Sequence, residues 1–331
     1  MLACMAIFAL PITLSIAICA GAYIWGGLEA LLLVGLLAVL ETSLSFDNAV
    51  INAKVLSRMS PRWQRRFLVW GIPIAVFGTR VILPFLIVSA AAFLSPLEIA
   101  RIAFFEPTVY GHYLAEAHTA IASFGSAFLL MVSLKYFFDE EKTIHWIRPI
   151  ERHLSRWGSI AAVELSITLA ALLACTLLSL EQAPTILFAG CIGILLFSLI
   201  ETAVGSFAAR AGSLALATGA ALFFYLETLD AAFSLDGVVA AFAITDRLPI
   251  VIGGLGIGAL FVRAFTVQLV RRKALEALIY LEHGAHWAIF GLSLSMLASI
   301  FVPVPDLVPG LIGLFFIVLA YLSSRKAMGN R

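Results

Sequence analysis

Two short polar stretches interrupt a chain that is otherwise mostly apolar, and both carry carboxylates at the same spacing. The first, ETSLSFDNAV, contains Glu41, Ser45, Asp47 and Asn48; the second, DAAFSLDGVV, contains Asp230, Ser234 and Asp236. Each reads acid, three residues, Ser, one residue, Asp, so Glu41 aligns with Asp230, Ser45 with Ser234, Asp47 with Asp236 and Asn48 with Gly237. Glu227 adds a further acid just before the second copy, and an arginine follows each copy in the next apolar run: Arg80 in GTRVILPFLIV and Arg263 in FVRAFTVQLV. Carboxylates, an amide carbonyl, hydroxyls and any freed backbone carbonyls are hard oxygen ligands of the kind that suit Mn²⁺, Ca²⁺ or Mg²⁺. No cluster of Cys, Met or His near the motifs points to Cu⁺ or Zn²⁺. Because Mn²⁺ stands at the weak end of the divalent affinity order, selection for it would have to come from geometry and availability.

The surroundings make these acids expensive. Hydrophobic residues are 62% of the chain and charged residues 12%, against about 25% charged in an ordinary soluble domain. The composition is that of an integral membrane protein, and the apolar runs are too long for barrel strands, so the spans are helices. Placing the five acids Glu41, Asp47, Glu227, Asp230 and Asp236 near the bilayer centre costs on the order of 12 to 17 kcal/mol if they neither pair nor protonate. Arg80 and Arg263 can neutralise two of the five in buried salt bridges. The remaining charge calls for protons, a bound cation, or alternation between them.

The elements that must position these residues follow from hydropathy and breakers. Ten spans are predicted, over residues 3–24, 28–54, 67–94, 118–138, 159–179, 184–209, 213–245, 248–270, 285–303 and 308–324. With alternating spans, 17 of the 21 Lys and Arg residues fall on one side and only Arg101 and Arg247 on the other. Basic loops mark the cytoplasmic side, so both termini are predicted there, and the basic residues are read as topology signals rather than nucleic-acid or lipid sites. The two motif spans are the second and the seventh, which enter the membrane from opposite sides. A weaker third landmark keeps the order, YLAEAHTAI from Tyr113 against YLEHGAHWAI from Tyr280. The reading is one all-α integral membrane domain over 1–331, a polytopic transmembrane bundle with an inverted-topology internal repeat: half one 28–140, a linking segment 141–212 with two extra spans, half two 213–324. Both motif spans exceed the roughly 20 residues a crossing needs. Breaks are therefore expected near Ser45 to Asn48 and near Ser234 to Gly237, freeing carbonyls and turning Asp47 and Asp236 inward.

SLSFDNAV, QRRFLVWG with Arg80, and FSLDGVVAAFAIT with Arg263 resemble the TerC family of bacterial membrane proteins, named for tellurium resistance and related to the LysE exporter superfamily. The resemblance covers roughly residues 28–140 and 213–270. It implies a bacterial cytoplasmic membrane location and export of manganese, with Glu41, Asp47, Asn48, Asp230 and Asp236 at the metal-handling positions and Ser45, Ser234, Glu227, Arg80 and Arg263 in support. The chain departs from the family at Gly237, Val238 and Val239, where Ser then Ile-Pro is usual. The expected function is a secondary transporter exporting a divalent cation as its substrate, manganese first and calcium or magnesium next, with protons as counter-ion and no resident cofactor.

The alternatives are a LysE-like exporter of a small cationic or amino compound, an intramembrane aspartyl protease, and a scaffold held by buried ion pairs. The protease reading lacks a Gly-x-Gly turn before the second aspartate and leaves the extra acids idle, so the chain is not read as an enzyme. GGLGIGA at 253–259 has no Lys after it and reads as helix-packing glycine, so energy is expected from an ion gradient, from the membrane potential or from a partner. Glu164 and Glu201 are further acids in apolar spans, each near a span end. His112, His118, His283 and His286, beside Glu116 and Glu282, are interfacial candidates for pH sensing. Asp139, Glu140, Glu141 and Lys142 read as a solvated face, and Cys4, Cys19, Cys175 and Cys191 as small core residues. The apolar first 27 residues lack a basic n-region and are read as a helix, not a signal peptide.

Overall fold

The computed structural model describes residues 2–160, 162–209, 215–305 and 307–329. Arg210 and Arg331, counted among the cytoplasmic basic residues, lie outside the described residues, as do the boundary at 212 and 213 and the side chain of Cys4. Among the described residues every regular element is helical. This is the outcome expected where lipid cannot hydrogen-bond a backbone, because a helix satisfies its own N–H and C=O groups.

In chain order the helices are α1 (Leu2–Leu44), α2 (Phe46–Ser57), α3 (Pro61–Pro73), a π-helical segment (Ile74–Ile82), α4 (Leu83–Ala92), α5 (Pro96–Phe105), α6 (Pro107–Glu116) and α7 (His118–Phe137). They continue as α8 (Arg148–Ser155), which ends in a 3₁₀ turn (Arg156–Ser159), then α9 (Val163–Leu178), α10 (Ala183–Ala209), α11 (Ala215–Ile244), α12 (Leu248–Arg271), α13 (Ala274–Ala277), α14 (Leu281–Ser299) and α15 (Leu307–Gly329). Six stretches among the described residues are long and apolar enough to cross a membrane: Ile7–Ser43, Pro61–Ala92, His118–Phe137, Ala183–Val204, Leu248–Arg271 and Val308–Met328. A seventh is added if Arg148–Ser159 and Val163–Leu178, bent by 106°, form one span. Large apolar side chains such as Ile24, Leu177 and Phe188 stand exposed at 84%, 76% and 73%, a surface suited to lipid rather than water.

One break is expected at each motif, and a boundary between the first two spans near residues 25–27. α1 is kinked at Gly26 and Gly27, where Gly27 has φ +68° and ψ −158°, a conformation open essentially to glycine alone. At the first motif the helix pauses at Ser45 (φ −99°, ψ 20°) and restarts as α2. The interruption is slight, since Ser45 N–H still reaches Glu41 O at 3.1 Å and Ala49 N–H reaches Ser45 O at 3.3 Å. At the second motif the expected unwinding does not occur: α11 runs unbroken through Ser234 to Gly237. No proline interrupts this stretch, Gly237 alone costs only about 1 kcal/mol against alanine, and the Ser234 hydroxyl satisfies itself on the Asp230 carbonyl.

The chain divides into two compact units, Met1–His118 with Leu222–Arg272, and Thr119–Ala221 with Lys273–Arg331. In the first, α1 lies along α12, and α2 and the π-helical segment also pack on α12. The glycines of α12 allow this approach: a Cβ on Gly254 would sit 2.4 Å from the Leu37 Cβ. In the second, α14 packs on α15 and α9 on α10, around a core that includes Phe128, Phe137 and Leu172.

Candidate functional site

The first unit carries the acids and arginines that the sequence singles out around both motifs, Asp236 excepted from the buried group. Glu41 comes from the last turn of α1, Asp47 and Asn48 from the first turn of α2, Arg80 from the π-helical segment, Glu227 and Asp230 from α11, and Arg263 from α12. All seven side chains are buried.

Asp230 is the hub. Asn48 Nδ2 donates to its Oδ1 at 2.8 Å, while its Oδ2 stands 4.0 Å from Arg80 Nη1 and 3.8 Å from Arg263 Nη2. Arg80 donates through Nη2 to Glu41 Oε1, and Arg263 Nη1 is 3.3 Å from Glu227 Oε1. Each arginine thus holds an acid of its own motif copy and also faces the shared Asp230. Asp47 is held differently. Its Oδ1 accepts the Asn48 backbone N–H at 2.8 Å, so its charge rests on the N-terminus of α2, where unpaired N–H groups favour an anion. Among the described residues no basic side chain forms an ion pair with Asp47.

Local backbone chemistry aims the two cations. Pro84 has no N–H to close onto the Arg80 carbonyl, and the ladder before it widens to the π register, a local solution often found at functional positions. There Arg80 Nη1 also bonds the Ala75 carbonyl and Thr79 Oγ1. Arg263 stacks its guanidinium 3.9 Å above the Phe67 ring and donates to the Phe67 carbonyl at 3.2 Å. The missing side chain of Gly71 makes room for it, because a Cβ there would fall 1.9 Å from Arg263 Nη1 and 2.7 Å from Glu227 Oε1.

Several buried atoms of this network make no hydrogen bond: Asn48 Oδ1, Glu227 Oε2 and Asp230 Oδ2 among the acceptors, Arg80 Nε and Arg263 Nη2 among the donors. Each such group forgoes roughly 1 to 3 kcal/mol. Asn52, one helical turn beyond Asn48 on α2, is 2% exposed and its Oδ1 is also unpartnered. Sequence reasoning passed over Asn52; the i, i+4 spacing from Asn48 was the signal available. Asp236 is half-buried and engaged in an interaction of its own. Ser45 makes no capping bond, and Ser234 is turned back onto its own helix. Among the described residues no three His, Cys, Asp or Glu side chains are arranged to hold a metal ion; in this conformation the arginines occupy Glu41, Glu227 and Asp230.

The other candidates fall in different places. His112 and Glu116 form an exposed pair at 3.4 Å. Glu164 and Glu201 meet on Lys135 at 3.5 and 2.8 Å, so both acids have a lysine partner. Lys142 corrects the expected solvated face. Its side chain is 7% exposed, 3.0 Å from Glu151 Oε2 and 4.0 Å above the Tyr136 ring, because α8 folds back over the polar loop. Glu151, missed in the sequence, is fully buried and accepts from His283 Nδ1 at 2.8 Å, Trp287 Nε1 at 3.0 Å and the Trp146 N–H at 3.1 Å. Its signal was an acid in the inward stripe Ile147, Glu151, Leu154 of an amphipathic helix. Burial pushes this carboxyl up, but the His283 bond and charge, Lys142 and Trp287 outweigh it and hold it well below the usual carboxylate range. Burial pulls the Lys142 ammonium down from its ordinary value. His286 stacks on Tyr136 and bonds the Glu282 carbonyl.

Fold and site together define a multi-pass helical membrane protein with a buried ionic network. Residues 46–331 match the family described as Protein of unknown function (DUF475), and the chain belongs to that family. No curated protein and no solved structure matches the chain.

Proposed function

We propose that the chain is a secondary transporter that exports a divalent metal cation in exchange for protons, using the network around Asp230. The observation that carries this reading is the charge balance of the first unit: four buried carboxylates, Glu41, Asp47, Glu227 and Asp230, stand with two buried guanidiniums, Arg80 and Arg263. An intramembrane network with more acid than base takes up a cation or protons, and pure structure gives no reason to bury the excess. The long contacts to Asp230 leave the arginines able to let go. A cation entering would displace them from Glu41, Glu227 and Asp230 and be held by Asp47, Asn48 and Asp236 as well.

Manganese is the substrate that the TerC resemblance implies, and the oxygen-only donor set suits it. In this reading about ten spans form an inverted repeat, both termini are cytoplasmic, and the membrane is the bacterial cytoplasmic one. The test is total cellular metal by mass spectrometry in cells loaded with Mn²⁺, Ca²⁺, Zn²⁺ or none, expressing wild type or Asp47→Asn at equal level. A selective fall in one metal with wild type alone is expected. No change in any metal overturns the proposal and directs attention to a small cationic or amino compound.

A further inference from the structure

We infer that α8 and its 3₁₀ extension form a docking surface for anionic phospholipid headgroups. The inference rests on the membrane-protein class and not on the transport reading.

Chain connectivity places the element at a membrane surface. α7, long and apolar enough to span, ends at Phe137, and α9 begins at Val163. With α9 taken as the membrane-crossing limb of the bent pair Arg148–Ser159 and Val163–Leu178, the segment between α7 and α9 stays near one face of the bilayer. Arg148–Ser159 bends by 106° from Val163–Leu178, so with α9 crossing the membrane, α8 runs close to the bilayer plane. Its inner face is fixed in place: Glu151 is fully buried, bonded to His283 and Trp287, with the Lys142 ammonium 3.0 Å away as its counter-ion. The 3₁₀ turn is seated as tightly, since a Cβ on Gly158 would fall 1.9 Å from the Phe138 carbonyl oxygen.

The outer face carries Arg148, Arg152 and Arg156, a stripe at i, i+4 and i+8, all exposed. Among the described residues none of the three makes an ion pair, whereas Lys142 and Lys135 in the same unit both do. On the other flank of the same exposed arc stand Ile150 and Trp157, with Ile160 just past the 3₁₀ turn, exposed at 46%, 43% and 55%. Free guanidiniums alone would suit any polyanion. Guanidiniums among exposed isoleucines and a tryptophan suit an interface where phosphate lies beside hydrocarbon, with the rings and alkyl groups at the acyl boundary and the arginines on phosphate oxygens. The exposed acids Asp139, Glu140 and Glu141 follow α7 in the loop; the Glu140 side chain lies against Gly158 at the edge of the 3₁₀ turn, and among the described residues none of the three makes an ion pair with the arginines of the stripe.

The test uses the full-length protein in nanodiscs of phosphatidylcholine alone or mixed with phosphatidylglycerol, with acyl chains brominated near the headgroup. The signal of Trp157 is the difference between wild type and Trp157→Phe. Quenching of that signal is expected to be stronger in the anionic discs, to weaken with salt, and to disappear with Arg148, Arg152 and Arg156 all changed to Gln. Arg152→Gln alone keeps most of the loop charge and is expected to lose about five-fold in preference for phosphatidylglycerol, read from the lipid retained in native mass spectrometry. Equal quenching in both discs overturns the inference, as does an unchanged lipid preference in the triple variant. Displacement of phosphatidylglycerol by inorganic polyphosphate with Trp157 left accessible to a soluble quencher overturns it too, in favour of a general anion site.

Discussion

Two buried ionic clusters, one in each unit, are built to different standards. Around Glu151 both carboxylate oxygens accept hydrogen bonds, Oε2 from His283 and the Trp146 N–H, Oε1 from Trp287 and, at 3.4 Å, the Ile147 N–H, while the Lys142 ammonium stands 3.0 Å from Oε2 as an ion pair without a hydrogen bond of its own. Around Asp230 the contacts to arginine stretch to 3.8 and 4.0 Å, and acceptors and donors alike are left over. A carboxylate with every lone pair used has nothing to gain from a new partner. One with vacancies in a low-dielectric setting gains a great deal, since unmade bonds there are the costly ones. The contrast separates an ionic group that holds a loop in place from a network able to exchange partners.

The comparison breaks first at Glu151. Glu151→Ala leaves Lys142 buried without its counter-ion and is expected to destabilise the protein by about 3 to 5 kcal/mol, seen as a large fall in the thermal midpoint in detergent. A small shift would show that the saturated cluster is not the lock described. In the other cluster the expected loss is of function. Asp47→Asn and Asp236→Asn should each cut metal export at least about ten-fold while leaving the midpoint near that of wild type, because each removes a charge while keeping the shape. Full transport by both variants would sink the proposed role.

Acid sharpens the contrast further. Glu151 has a depressed folded-state pKa, so its stabilisation is complete above the unfolded value of about 4.3 and is lost as the pH falls below it toward the folded value. A thermal midpoint that stays flat above this region and drops beneath it is the expected curve. Transport should respond differently, weakening as pH falls on the loading side, because proton and cation compete for the same carboxylates. A flux independent of pH would separate the two sites. Least affected should be the exposed His112 and Glu116 pair, where His112→Ala is expected to change stability by no more than about 0.5 kcal/mol.

Much of the candidate site was legible because charge in an apolar chain is conspicuous. Glu41, Arg80, Asp230 and Arg263 stood out one by one, and that arginines would meet carboxylates followed from the cost of leaving either alone. The Gly26 and Gly27 kink was legible as a break between apolar runs. Glu151 and Lys142 were not, because both sit in a segment of mixed charge where burial leaves no compositional mark. The continuity of α11 was also hidden: an overlong span with a serine and a glycine looks breakable until the Ser234 hydroxyl is seen to satisfy itself on its own helix.

By itself, then, the sequence determined an all-helical membrane protein and the residues that had to find partners, since both follow from the solvation cost of single groups in hydrocarbon. Only the tertiary structure decided that Glu41 holds Arg80, that Glu227 holds Arg263, that Asp230 stands between both arginines, and that Glu151 is sealed beneath α8. Those choices depend on how glycine-lined helices pack to within an ångström, a sum of many small contacts that no single residue announces.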